Sequence, residues 1–203
     1  MAALPAALNK VRTIKYGPHD SQVGDLYLPN AARPAVVCLP HGGFWRMPYG
    51  REELAPIAED LAAKGYAVRN IEYRRVGAPG GGWPGTFGDV ALAVDHLATL
   101  CDESLAPDLE RVVLAGHSDC GQLALCAAAR NGNARFRAKR VQPLAVAALA
   151  AVSDLARAYE TGAGNGAVNA AVEGDYATAA AAAGDPDSMA HASPCKWLAQ
   201  VLQ

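Results

Sequence analysis

The chain is poor in the features that would place it on a membrane, on nucleic acid or outside the cell. Its longest apolar run, Leu144 to Val152, is nine residues long, against the ~20 that a membrane-spanning helix needs. No Lys/Arg run interrupts a nearly balanced net charge of −2, so the basic patch that holds nucleic acid or anionic lipid is missing. The apolar stretch Ala2 to Leu8 has no positive charge ahead of it and does not read as a secretion signal. The five cysteines, Cys38, Cys101, Cys120, Cys126 and Cys195, are odd in number and contain no C-x-x-C pair. That argues against a disulfide framework and a zinc ribbon and makes a reducing cytoplasm the expected compartment. What remains is 51% hydrophobic and 19% charged over 203 residues, apolar enough for a buried core and too weakly charged for disorder. One globular domain over residues 1–203 is expected, since no repeat or linker divides the chain.

Strand and helix patterns alternate. Val11 to Tyr16 and Gln22 to Leu28 flank the turn Gly17-Pro18-His19-Asp20 and predict an antiparallel hairpin. Continuous apolar runs at Ala35 to Leu39, Tyr66 to Tyr73, Arg111 to Ala115 and Pro143 to Val152 predict buried parallel strands. Between them, Glu52 to Lys64, the segment carrying Val90, Val94, Leu97 and Leu100, and Gly121 to Arg130 have helical spacing. The expected architecture is an α/β three-layer sandwich: a mostly parallel sheet, helices on both faces and an antiparallel hairpin at one edge. Beyond Ser153 the chain is rich in alanine and glycine. It reads as a lid-like segment over 153–193, followed by a short helix near Pro194 to Leu202.

Two segments carry chemistry. Gly116-His117-Ser118-Asp119-Cys120-Gly121 lies between a buried strand and a helix, the setting of a nucleophile elbow, whose sharp turn projects a serine hydroxyl above the sheet. Cys120 stands where glycine is usual. Its thiol is expected to face the helix packing, where burial raises a thiol's pKa and makes it a poor nucleophile. Pro40-His41-Gly42-Gly43-Phe44-Trp45 follows the strand before the first helix, where an HGG-type loop supplies N–H groups to an oxyanion. The expected donors are the backbone N–H groups of Gly43, Phe44 and Asp119. Trp45 and Trp83 are candidates either for an aromatic pocket wall or for core packing. The glycine clusters at 80–82 and 162–166 lack the residues of a phosphate loop or a dinucleotide fingerprint.

HGGFWR, the segment Asn70 to Arg75, Gly80 to Leu97, RVVLAGHS with Gly121 to Leu125, and Ser193-Pro194 together resemble the α/β-hydrolase superfamily. The resemblance is to its bacterial carboxylesterase and kynurenine formamidase-like group, and it covers roughly residues 35 to 198. It implies a serine esterase or amidase acting on small esters or N-formyl aromatic amines through an acyl-enzyme, without a metal or organic cofactor. It also implies two further strand and helix units carrying the acid and the histidine, so the chain reads as truncated at its C-terminus. The acid and base must then come from elsewhere. His41 belongs to the oxyanion loop, His117 to the elbow, His19 to the hairpin turn and His96 to a helix. His191 follows Ser118 in the right order, with Asp154 or Asp185 before it, and a Ser118, Asp154, His191 triad is one expectation. A helix cap for Asp154 and a surface position for His191 are the other. Without its last strands, the apolar strand Pro143 to Val152 becomes a sheet edge. It is expected either to lie beneath the C-terminal helices or to pair with a second copy of the chain. A catalytically impaired remnant of the fold, serving as a binding or subunit-forming module, is the alternative function.

Overall fold

The computed structural model describes residues 10–100, 107–130 and 140–173. Six strands form one sheet: β1 (Lys10–Lys15), β2 (Val23–Leu28), β3 (Ala35–Pro40), β4 (Ala67–Ile71), β5 (Asp108–His117) and β6 (Ala145–Leu149). Their spatial order is β1-β2-β4-β3-β5-β6. β1 and β2 pair antiparallel, β2 joins β4 antiparallel, and β4, β3, β5 and β6 run parallel. The mostly parallel sheet with an N-terminal antiparallel pair is the architecture the sequence pattern predicts.

Among the described residues, five α-helices connect and cover the sheet: α1 (Ala55–Ala63), α2 (Gly85–His96), α3 (Asp119–Ala129), α4 (Leu155–Glu160) and α5 (Ala167–Glu173). Because side chains alternate along a strand, the sheet feeds two cores. Val36, Cys38, Ile71, Val112 and Leu114 meet Val90, Val94 and Leu97 of the α2 region and Leu123 of α3 on one face. Tyr27, Leu39 and Val68 meet Ala58 and Ala62 of α1 on the other. The helix predicted from Glu52 begins as a 3-10 turn at Arg51–Leu54, and Pro56 stands in the first turn of α1, where its missing N–H has no partner to lose.

Two buried arginines tie these layers together. Arg69 of β4 donates to the carbonyls of Gly24 at 2.7 Å and Ile14 at 3.0 Å, clamping the antiparallel pair to the parallel sheet. Arg130, just past α3, reaches Asp95 of α2 at 2.6 Å and the carbonyls of Ala91 and Val141. The edge strand β6 stays largely open: Leu144 is 68% and Leu149 62% exposed. No described helix is long and apolar enough to cross a membrane. His191, Asp185, Cys101, Cys195 and the helix predicted near 194–202 lie outside the described residues.

Candidate active site

Ser118 sits at the C-terminal end of β5, one residue before α3 begins, at φ 59 and ψ −121. A non-glycine residue in the left-handed region is strained and persists only when its surroundings over-determine it. Here its N–H donates to the Leu149 carbonyl at 2.9 Å, and its own carbonyl accepts from Gln122 N–H at 3.2 Å. The turn closes so tightly that a Cβ on Gly116 would lie 2.5 Å from the Cys120 backbone, and one on Gly121 would lie 2.8 Å from the Ala151 Cβ. The Cys120 thiol donates to the His117 carbonyl at 2.7 Å. Burial, with Asp119 adjacent, pushes it up to about 11, which leaves it protonated at neutral pH.

Opposite the elbow, the HGGFW loop bends through three consecutive positive φ values: Gly43 at 113, Phe44 at 58 and Trp45 at 58. Only glycine fits at 43, where a Cβ would collide with Tyr49 at 2.2 Å. Phe44 and Trp45 have no such freedom, and their conformation needs an external hold. The Asp119 carboxylate supplies it. One oxygen accepts from Gly43 N–H at 3.3 Å and the other from Trp45 N–H at 3.0 Å. Successive N–H groups converging on one anion form a nest, and Asp119, only 3% exposed, fills it from the residue next to the nucleophile. Of the three expected oxyanion donors, the N–H groups of Phe44 and Asp119 carry no protein hydrogen bond among the described residues, whereas that of Gly43 is engaged by the carboxylate.

A second layer fixes the loop from below. His41 is fully buried, stacked on Tyr73 with ring centroids 4.3 Å apart, and its Nε2 lies 2.9 Å from Glu72. Tyr73 donates its hydroxyl to the His41 carbonyl at 2.8 Å, and burial pushes its pKa far up, keeping that proton in place. Glu72 also accepts from the N–H groups of Tyr73 at 3.1 Å and Arg51 at 3.3 Å. Burial alone would raise the Glu72 carboxyl, but the hydrogen bond and charge of His41, the Tyr73 N–H and Arg75 together hold it below its ordinary value. Glu72 was not among the expected site residues. An acid among the buried residues of the Asn70 to Arg75 strand end is the signal that marks it.

Ser118 opens into a cavity of about 190 Å³ lined by Phe44, Trp45, Val152, Ala163, Ala167 and Val168. Trp45 is a core residue, 1% exposed, that also borders this cavity. Trp83 is a core residue, its ring packed edge-on against Phe87 at 4.9 Å and its backbone N–H donating to the Ala171 carbonyl of α5. Ala163 and Gly164 of the glycine-rich turn, with Ala167 and Val168 of α5, close one side of the cavity. Asp154 caps α4, accepting from Arg157 N–H at 3.0 Å. His19 accepts from Ser21 N–H within its turn, His96 lies on α2, and the His117 side chain is exposed. Among the described residues no histidine or carboxylate hydrogen-bonds the Ser118 hydroxyl. Nor do three or more His, Cys, Asp or Glu side chains cluster there as a metal site would require.

Several solved structures share this fold. Esterase B from Lactobacillus Rhamnosis superposes with a TM-score of 0.73 at 22% identity, covering 95% of this chain and 62% of its own. A bacterial heroin esterase gives 0.56 at 26% identity over 70% of this chain and 44% of its own. A hyperthermophilic esterase from Pyrobaculum calidifontis gives 0.60 at 23% identity, with coverages of 74% and 46%. The chain thus has the α/β-hydrolase fold but spans less than two thirds of the length of these proteins. No curated protein matches it. The BD-FAE family model matches residues 24–201, most of the sequence, and the chain belongs to the BD-FAE family.

Proposed function

We propose that this chain is a serine hydrolase of esterase type that cleaves small esters, or formamides of aromatic amines, through an acyl-enzyme on Ser118. The observation that carries the reading is the pairing of a strained Ser118 with a strained loop that leaves the Phe44 and Asp119 N–H groups unengaged. The esterases among its structural neighbours support the same class. In the first step the Ser118 oxygen bonds to the carbonyl carbon and its proton passes to a general base. The carbonyl oxygen becomes an oxyanion facing Phe44 and Asp119, with Gly43 available if the Asp119 carboxylate yields its N–H. Collapse breaks the carbon–oxygen or carbon–nitrogen bond, and the leaving group takes the proton. Water then attacks the acyl-enzyme by the same route and releases the acid. His191 is the base that chain order favours; Asp154 is engaged as the exposed cap of α4. The cavity beside Ser118 is small and mainly apolar, at about 190 Å³, which fits a short acyl chain better than a long one.

A second reading, a remnant of the fold that binds ligands or forms subunits, draws on the open edge of β6. Such an edge presents unpaired backbone groups to a second copy of the chain. Hydrolysis of a short-chain aryl ester, run beside Ser118→Ala, separates the two. Turnover well above background that disappears in the variant supports the hydrolase. Equal background signals from both proteins, with the chain folded, overturn it in favour of the binding module.

A further inference from the structure

We propose that Arg46 is the anchor of a leaving-group subsite that takes an aromatic ring bearing a carboxylate. The proposal rests on the hydrolase reading for its chemistry but not for its binding. The subsite is a groove of about 520 Å³ lined by Gly43, Phe44, Arg46, Met47, Tyr49 and Asn165, among others. It shares Phe44, Gly164 and Ala167 with the smaller cavity that contains Ser118, so a scissile bond at Ser118 can have one end in each compartment. The two compartments differ in chemistry. The Ser118 cavity is small and apolar, whereas the groove offers two aromatic rings, a thioether and one guanidinium.

That guanidinium is uncommitted. Around the same end of the sheet, Arg51 pairs with Asp25 at 2.8 Å, Arg74 with Asp89 at 2.7 Å and Arg75 with Glu72 at 3.6 Å. Arg46 makes no ion pair and no side-chain hydrogen bond with the described residues, and no acidic residue lines the groove. Its backbone is nonetheless held firmly. Arg46 N–H donates to the Gly43 carbonyl at 3.0 Å and the residue bridges to Val76, so the side chain projects from a fixed point beside the exposed faces of Phe44 and Tyr49. An unpaired guanidinium in a groove that also holds Phe44 and Tyr49 matches a planar aromatic anion, because its fork binds a carboxylate bidentately while the rings take the arene.

The test uses the full chain and its Arg46→Gln and Arg46→Lys variants, with para-acetoxybenzoate and phenyl acetate as substrates and para-hydroxybenzoate as a binding probe in titration calorimetry. Arg46→Gln is expected to lower the ratio of kcat/KM for the charged ester over the neutral one by about tenfold. It is also expected to weaken the probe's Kd by about tenfold, a modest value for a hydrogen bond to a charged group. Arg46→Lys falls between, keeping the charge but not the fork. If the esters are hydrolysed and neither the ratio nor the Kd moves, the subsite is refuted while the hydrolase stands. If no ester is turned over but the probe binds and Arg46→Gln weakens it, the subsite stands and the hydrolase reading fails. A wild-type chain that does not bind the probe overturns the subsite outright.

Discussion

Replacing Asp119 with alanine should do more damage than an acid beside a nucleophile would ordinarily imply. Its carboxylate accepts two backbone hydrogen bonds, at 3.3 and 3.0 Å, from a loop whose residues 43 to 45 all have positive φ. Hydrogen bonds to a charged group contribute roughly 1.5–3 kcal/mol each. The longer contact to Gly43 belongs at or below the low end of that range. Asp119→Ala is therefore expected to destabilise the chain by about 3 kcal/mol. With a urea m-value near ~2 kcal/mol/M for a domain of this size, the unfolding midpoint should fall by about 1.5 M. Asp119→Asn keeps one acceptor but presents an N–H to the other donor, and about half that loss is expected. Urea unfolding followed by near-ultraviolet circular dichroism reads both. Catalysis should fall together with stability, because the strain at Phe44 and Trp45 relaxes once the anion is gone and Phe44 N–H loses its aim. An Asp119→Ala midpoint within ~0.3 M of wild type would show that the loop holds its shape without the carboxylate.

Two further outcomes test the scaffold. Gly116→Ala places a methyl 2.5 Å from backbone atoms of Cys120, which cannot rotate away. A loss of ~1–3 kcal/mol is expected, as for overpacking, and an unchanged melting temperature would show that the elbow is looser than its geometry. Glu72 sets an acid limb. Its carboxyl titrates below its ordinary value in the folded chain, its hydrogen bonds and neighbouring charges outweighing burial. The stability it contributes is therefore complete above the unfolded value of ~4.3 and is lost as pH falls through the depressed folded one. Glu72→Gln should flatten stability against pH below about pH 4.3, measured by thermal melts at successive pH values, and an acid limb identical to wild type would count against this role.

Sequence periodicity was enough to place the strands and helices, because a parallel strand buried on both faces must be apolar throughout, as Ala35 to Leu39 is, and a helix over such a sheet must repeat its apolar residues every three or four positions. The elbow and the loop were legible for a related reason. Gly116 and Gly43 stand where the backbone passes too close to another atom for any side chain, and that constraint is written in the residue itself. The role of Asp119 was not legible, because its partners Gly43 and Trp45 lie more than seventy residues away and only folding brings them onto one anion. Glu72 was hidden likewise: an acid in a buried strand reads as an anomaly until His41, Tyr73 and Arg51 surround it. Trp45 and Trp83 were equivalent as residues; the tertiary structure buries both in one core and brings Trp45 also to the edge of the Ser118 cavity. Local spacing determines where the chain can turn and which faces it must bury. Which side chain meets which donor is decided by the packing of β3, β4 and β5 against one another, and distances along the chain carry no record of it.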